Sequence, residues 1–343
     1  MKTLTITRPD DWHIHVRNGA ILKTVLPHTA RQFARAIIMP NLKPPVTTVA
    51  EALVYQQEIL QAVPAGINFT PLMTLYLTAA TKISEIKKAA ESDHVYAFKL
   101  YPAGATTNSD SGVADIYAIY PLLAELEKLD IPLLIHGETT DTDCDIFDRE
   151  RVFVDTSLTD IATNFPNLRI VLEHVTTTEA VQFVYASGNN IAATITPQHL
   201  LYNRNALFAG GIRPHYYCLP IIKREHHRLA LVKAATSGNP KFFLGTDSAP
   251  HITSLKEDSC GCAGCYSAYA ALELYAEIFE QADALNKLEG FASFFGADFY
   301  RLPRNSDTVT LEKTTWSIPL FYGENDNTVT PLKAGEELSW KMQ

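Results

Sequence analysis

His13 and His15 stand two residues apart in the run Trp12-His-Ile-His-Val-Arg17. On a strand, alternate residues face one side, so both imidazoles point the same way. Two neutral imidazoles side by side can grip one divalent metal. An H-x-H pair is a weak signal by itself. It gains weight because other short apolar runs downstream also end in polar residues. Asn41 follows A-I-I-M-P, Lys99 lies in Y-A-F-K-L-Y, His136 in L-L-I-H-G, His174 in I-V-L-E-H-V and Asp247 in F-F-L-G-T-D. Four imidazoles and a carboxylate suit zinc, although nickel, cobalt and manganese accept the same donors. They suffice for two ions if something bridges them. Lys99 is the odd member, because an ammonium would be repelled by the cations and burial lowers a lysine pKa. A neutral Lys99 amine could react with carbon dioxide to give a carbamate, an anion able to bridge two metals. Without that modification a buried lysine would pair with an acid.

The elements that must position these residues recur like a barrel. Apolar, β-branched runs are expected as strands at Trp12–Val16, Ala36–Pro40, within Phe69–Tyr76, and at Tyr96–Tyr101, Leu133–Gly137, Ile170–Val175, Ile191–Thr196 and Phe242–Asp247. Amphipathic segments at Glu51–Ala62, Ile116–Leu129 and Thr178–Ser187 read as helices between them. Eight such alternations suggest an α/β fold of the closed parallel (β/α)8 TIM-barrel type. An open doubly wound sheet would carry a glycine-rich phosphate turn after its first strand, and none is present. Barrel active sites lie at the C-terminal strand ends, where the singled-out residues fall. The segment Pro102–Gly112, rich in small polar residues, follows the Lys99 strand and reads as a flexible loop or a lid over the mouth. Beyond Asp247, helical stretches are expected at Tyr266–Leu285 and Phe291–Phe299. Residues from about 305 to 343 alternate in strand fashion. No Gly/Ser-rich or charged linker precedes them, so residues 1–343 read as one domain with a small C-terminal extension packed on the barrel.

The 343 residues are 46% hydrophobic, enough for a large core, and carry a formal net charge of −9. That charge argues against nucleic acid or an anionic membrane as the main partner. No apolar stretch approaches the roughly 20 residues of a membrane span, and the N-terminus lacks the apolar core of a signal peptide. Five cysteines in a chain of this size fit a reducing cytoplasm. Cys260, Cys262 and Cys265 form C-x-C-x-x-C but find no matching second pair, so a closed metal site is not expected there. His28, His94, His199, His215, His226 and His227 are given no ligand role.

The set H-x-H on strand one, Lys on strand four, His on strands five and six and Asp on strand eight resembles the amidohydrolase superfamily. The longer strings narrow this. R-P-D-D-W-H-I-H-V-R, M-P-N-L-K-P-P-V-T-T, K-L-Y-P-A-G-A-T-T-N-S, D-I-F-D-R-E, T-P-Q-H-L, Y-C-L-P-I, L-G-T-D-S-A-P-H and C-G-C-A-G-C are similar to the dihydroorotase family in its compact bacterial type, from about residue 8 to the end. The resemblance implies reversible, zinc-dependent cyclisation of N-carbamoyl-L-aspartate to L-dihydroorotate plus water, the third step of de novo pyrimidine synthesis. It implies one zinc on His13, His15, carbamylated Lys99 and Asp247, and a second on Lys99, His136 and His174. A metal-bridging hydroxide would be the nucleophile and Asp247 the general acid and base. By the same resemblance Arg17, Asn41 and His251 bind the substrate carboxylate and His136 also meets the substrate. Backbone groups of Leu219 and Ala263 contact the ring, and Thr106 and Thr107 reach it when the loop closes. A cytoplasmic homodimer is likewise implied. One departure is visible: Asn18-Gly19 stands where the family usually has Asp-Gly. Two other readings stay open. Another cyclic-amide hydrolase such as a hydantoinase keeps the metals but needs no carboxylate clamp, and a non-catalytic scaffold barrel would not need the six ligand positions.

Overall fold

The computed structural model describes residues 2–259 and 261–343. A first strand, β1 (Thr3–Thr7), precedes the barrel. The barrel strands are β2 (Asp10–Ile14), β3 (Arg35–Ile38), β4 (Thr70–Leu77), β5 (Val95–Leu100), β6 (Leu133–Ile135), β7 (Ile170–Leu172), β8 (Ile191–Ile195) and β9 (Phe242–Leu244). They pair in parallel in sequence order, β2 through β9. The seam between β9 and β2 closes just past the strand ends, where Asp247 N–H donates to His13 O (2.8 Å) and His15 N–H to Ser248 O (3.0 Å). The expected eight-stranded barrel is therefore the observed one.

Helices cover the outside. The helix Val49–Ala62 starts at a capping box, in which Thr48 accepts from Glu51 N–H and the Glu51 carboxylate takes the Thr48 N–H. Thr177 caps Thr178–Ala186 in the simpler way, accepting from Ala180 N–H. The expected helix 116–129 is split: a 3-10 turn at Ile116–Ile119 leads into Tyr120–Lys128, whose first turn holds a proline. Two helices that the apolar spacing did not reveal, Gly19–Gln32 and Ile83–Ala90, also wrap the barrel. The stretch 266–285 is helical only over Ala268–Gln281, and 291–299 winds through a π turn, Gly290–Phe294, into Phe295–Tyr300.

After β9 the chain forms β10 (Thr308–Glu312), β11 (Trp316–Ser317), β12 (Glu337–Leu338) and β13 (Lys341–Met342). The extension does more than pack on the barrel. β10 pairs antiparallel with β1, Thr3 opposite Glu312 through Thr7 opposite Thr308, and β13 pairs with β10 on its other edge. The alternating T-L-T-I-T at the N-terminus was the sequence signal for this pairing.

The interior of the barrel sets the stage for the site. Ile37, Leu72, Ala97, Leu134, Val171, Ala192 and Phe243 form an apolar layer, plugged from below by Trp12 and Tyr300 stacked at 4.6 Å. Two residues further along, on the same inward face, β3 carries the apolar Met39, while the other six strands carry Thr74, Lys99, His136, Glu173, Thr194 and Gly245. The period of two thus places a polar layer directly above a dry one. Gly245 is required by close approach, because a Cβ there would lie 2.7 Å from the Thr194 Cβ and 3.1 Å from that of His13.

Candidate metal centre

Three local devices aim the ligands. β2 advances three residues, Asp11 to Ile14, while β3 advances two, Ala36 to Ile38. This bulge lets Trp12 fill the bottom layer and His13 enter the polar layer immediately above. Ile14 then turns out into the helix-facing core and His15 returns inward. His174 would face outward if β7 kept its alternation after Glu173. It instead adopts φ 40°, and Asp247 adopts φ 42°. Left-handed backbone at a non-glycine residue costs about 1–3 kcal/mol, and here it folds both side chains over the mouth.

The result is a tight cluster. His13 Nε2 and His15 Nε2 are 3.4 Å apart, and Asp247 Oδ1 lies 3.3 Å and 3.1 Å from them. The donor atoms of these three buried residues all fall within 4.8 Å of one another. The His174 ring centroid is 5.0 Å from that of His13 and 4.7 Å from that of His136. Lys99 is completely buried, its Nζ 5.1 Å from the Tyr101 ring centroid and without a hydrogen-bond acceptor. Burial drags its pKa from 10.5 to about 8, against the pull of Glu173 and Asp247. Burial also holds His15 down to about 3 and His174 well below the usual imidazole range. Burial alone would raise Asp247, but His13 and the hydrogen bonds from His13 and His15 outweigh it and keep the carboxyl well below its usual range.

Acidic residues behind the ligands fix the imidazoles. Glu173 Oε2 meets His13 Nδ1 at 2.6 Å and accepts from Thr194 Oγ1 at 2.7 Å. That contact leaves Nε2 as the ring nitrogen turned to the cluster. Glu138 Oε2 meets His136 Nε2 at 2.7 Å in the same manner. Asp11 accepts from Thr246 N–H and Oγ1–H and from His13 N–H, tying the turn before Asp247 to β2. Carboxylates in this position set the tautomer and basicity of metal-binding histidines. Glu173, Glu138 and Asp11 were not singled out in the sequence. Their signal was adjacency, since Glu173 precedes His174 and Glu138 lies two past His136.

The donor set fits divalent cations. A buried lysine amine, the buried Nδ1 atoms of His15 and His174 and one buried Glu173 oxygen all lack a hydrogen-bond partner. Such groups are costly unless something satisfies them. Imidazoles around a carboxylate form a zinc-type donor set.

Above the cluster lies the wall expected to hold a carboxylate. Arg17 donates from Nε to Pro250 O (3.0 Å) and reaches His251 Nε2 with Nη2 (3.0 Å). Burial and the Arg17 charge push His251 down to about 2, so its ring is neutral. The same Nε2 lies 3.1 Å from Ala263 O; carrying either a proton or a lone pair, it donates to Ala263 O or accepts from Arg17, not both at once. The loop after β5 lies across this wall. Asn41 Nδ2 donates to Thr107 O (3.1 Å), Asn108 Nδ2 to Asn41 O (3.0 Å) and Thr107 Oγ1 to Ala263 O (3.3 Å). Ser109 braces the loop by donating to Thr106 O and accepting from Thr106 N–H. His15, Arg17, Asn41, Thr106, Thr107, His136, His174, Leu219, Asp247 and Ala263 all line one cavity of about 20 Å³, with His13 and Lys99 beneath it and His251 behind Arg17. Tyr101, not singled out in the sequence, lines it too. That volume holds about one water, with the loop lying across the cavity through its contacts to Asn41 and Ala263.

Among the described residues, none of the cysteines and none of the histidines given no ligand role joins the three-ligand cluster. Cys260 lies outside the described residues; Cys262 and Cys265 are not in the three-ligand cluster. His199 is a satisfied core histidine, bonded to Thr196 Oγ1 (2.7 Å) and Pro220 O (2.9 Å). Among the described residues no helix is long and apolar enough to cross a membrane.

A parallel barrel with two histidines at a bulged first barrel strand, a buried lysine and a carboxylate just past the last barrel strand defines a class. The amidohydrolase family model matches residues 6–337, and the chain belongs to that metal-dependent family. Its relatives place it more narrowly, among the dihydroorotases. A dihydroorotase of Acaryochloris marina is 64% identical over 342 residues, covering 100% of this chain and 99% of the relative. The crystal structure of dihydroorotase from Campylobacter jejuni superposes with a TM-score of 0.92 at 36% identity, covering 100% of this chain and 98% of that one. Dihydroorotase from Saccharomyces cerevisiae in complex with 5-fluoroorotic acid superposes equally well, TM-score 0.92 at 34% identity, over 100% and 99% of the two chains.

Proposed function

We propose that this chain is a dihydroorotase, interconverting N-carbamoyl-L-aspartate and L-dihydroorotate in pyrimidine synthesis. The observation that carries this reading is the buried ligand cluster lying beneath a wall of one cation, Arg17, and two neutral polar side chains, Asn41 and His251. A cyclic amide that also bears a carboxylate uses both halves.

His13, His15, Asp247 and a Lys99 carbamate would hold one divalent cation, zinc by donor type, and the carbamate with His136 and His174 a second. Such ions polarise the ring carbonyl and lower the pKa of water from about 15.7 toward about 7. Every other step belongs to the chain. Lys99 Nζ, deprotonated near pH 8, attacks carbon dioxide; an N–C bond forms and a proton leaves, giving the carbamate. Glu173 and Glu138 orient His13 and His136. Asp247, held ionised, takes the proton of the attacking water and delivers it to the ring nitrogen as the C–N bond breaks. In the biosynthetic direction the same carboxylate removes the carbamoyl N–H proton and water is lost.

Arg17 offers a guanidinium to the non-reacting carboxylate, the geometry in which Arg binds carboxylates bidentately. Asn41 adds amide donors, His251 a neutral ring, and Leu219 and Ala263 backbone groups for the substrate ring. Thr106 and Thr107 would touch substrate from the closed loop and exclude water. The partner in solution is a second copy of the chain, and the compartment is the cytoplasm.

The reading is tested by comparing kcat/KM for hydrolysis of L-dihydroorotate and hydantoin. Strong preference for dihydroorotate is expected, because hydantoin has no carboxylate for Arg17. Equal rates, or preference for hydantoin, would move the chain to the neutral cyclic amides.

A further inference from the structure

Lys256 lies at the end of the short helix Thr253–Lys256, away from the ligand cluster, yet it is only 3% exposed. Its ammonium donates to three backbone carbonyls: Tyr217 O at 2.8 Å, Cys262 O at 2.7 Å and Gly264 O at 2.8 Å. All three donors of a lysine are thereby used. The acceptors come from two separate segments, the one leading to Leu219 and the one containing Ala263. Gly264 N–H also donates to Tyr217 O at 2.9 Å, joining the same two segments directly.

The placement of these acceptors has a geometric consequence. Cys262 and Gly264 flank Ala263. Both neighbours of Ala263 turn their carbonyls to Lys256, whereas the Ala263 carbonyl is turned to the cavity. There it meets His251 Nε2 at 3.1 Å and Thr107 Oγ1 at 3.3 Å, on the wall of the cavity. Gly264 lets the chain turn so closely, since its φ is 148° and a Cβ would lie 2.4 Å from Ala249 O.

We propose that Lys256 is a positioning residue for substrate: its ammonium fixes the 262–264 backbone so that Ala263 meets the ring, the closed loop and His251 at once. This rests on the dihydroorotase reading above. Lys256 touches neither substrate nor metal and acts through Ala263. A neutral side chain of the same length would leave three carbonyls without their donor and release the Ala263 peptide to rotate.

The test is steady-state hydrolysis of L-dihydroorotate by the metal-loaded wild type, Lys256→Met, Thr107→Val and the double variant, with metal content and Tm measured in parallel. Lys256→Met should raise KM about 10- to 100-fold, the range expected when charge-assisted hydrogen bonds are lost, with a smaller change in kcat and unchanged metal content. Because both side chains act on Ala263 O, the double variant should lose less than the product of the single losses. An unmoved KM, or losses that multiply fully, overturns the inference. Should Lys256→Met fail to fold, Lys256→Gln keeps two donors and should raise KM in the same direction by less; an unchanged KM there is equally fatal. A metal-loaded wild type inactive on L-dihydroorotate would instead sink the functional reading, so the two failures are distinguishable.

Discussion

Lys99 offers the sharpest quantitative prediction. Only its neutral amine can react with carbon dioxide, and burial brings its pKa from 10.5 to about 8. At pH 7 that shift raises the neutral fraction from about 0.03% to about 10%, on the order of 300-fold. The perturbation is to strip the protein of metal and carbon dioxide at low pH, then reload it with zinc in buffer with or without bicarbonate. Activity on L-dihydroorotate should return quickly only with bicarbonate present. The sign with pH follows from the lowered pKa. At fixed dissolved carbon dioxide the reloading rate should climb about tenfold per pH unit below 8 and level off above it. Lys99→Ala, reloaded identically, should recover no activity and bind fewer metal ions. The reasoning is refuted if recovery is independent of carbon dioxide, or if its rate keeps climbing past pH 10 as for an ordinary exposed lysine.

Three further outcomes follow from the same geometry. Glu173→Gln removes the carboxylate behind His13 and should weaken metal binding about 10- to 100-fold, read by competition with a chromophoric chelator; unchanged affinity would deny Glu173 an orienting role. Thr106→Ala combined with Thr107→Ala should cut turnover strongly and leave metal content intact, and unaltered kinetics would remove the lid role from the 102–112 loop. Gly245→Ala forces a methyl against Thr194 and His13 and should cost about 1–3 kcal/mol of stability, seen as a lower Tm; an unchanged Tm would mean that the barrel yields there at no cost.

The sequence carried the barrel because its strands are short, apolar and regularly spaced, and because the polar residues lie where such strands end. Alternation was enough to put Lys99 and His136 on the inward face and to turn His13 and His15 the same way. It could not supply the bulge between Asp11 and Ile14, nor the left-handed backbone at His174 and Asp247, since each depends on a partner strand or turn far away in the chain. The carboxylates behind the histidines were hidden for a related reason. A Glu beside a ligand reads as a solvated charge until Thr194 and His13 are seen to enclose it. The gripping of the loop by Asn41 and Ala263 is also a matter of long-range contact, linking residues 66 and 156 positions apart. The N-terminal strand Thr3–Thr7 was not singled out in the sequence, and its partner is Thr308–Glu312, some three hundred residues on.

The most direct test of the central claim is hydrolysis of L-dihydroorotate by the purified protein as isolated, after exhaustive chelation, and after zinc is restored in the presence of bicarbonate. Activity that vanishes with the chelator and returns with zinc is the expected result and would tie the reaction to the cluster around His13, His15, Lys99, His136, His174 and Asp247. Hydrolysis that persists undiminished in the chelated, metal-free protein, or that is absent from a folded protein with zinc bound, would contradict it.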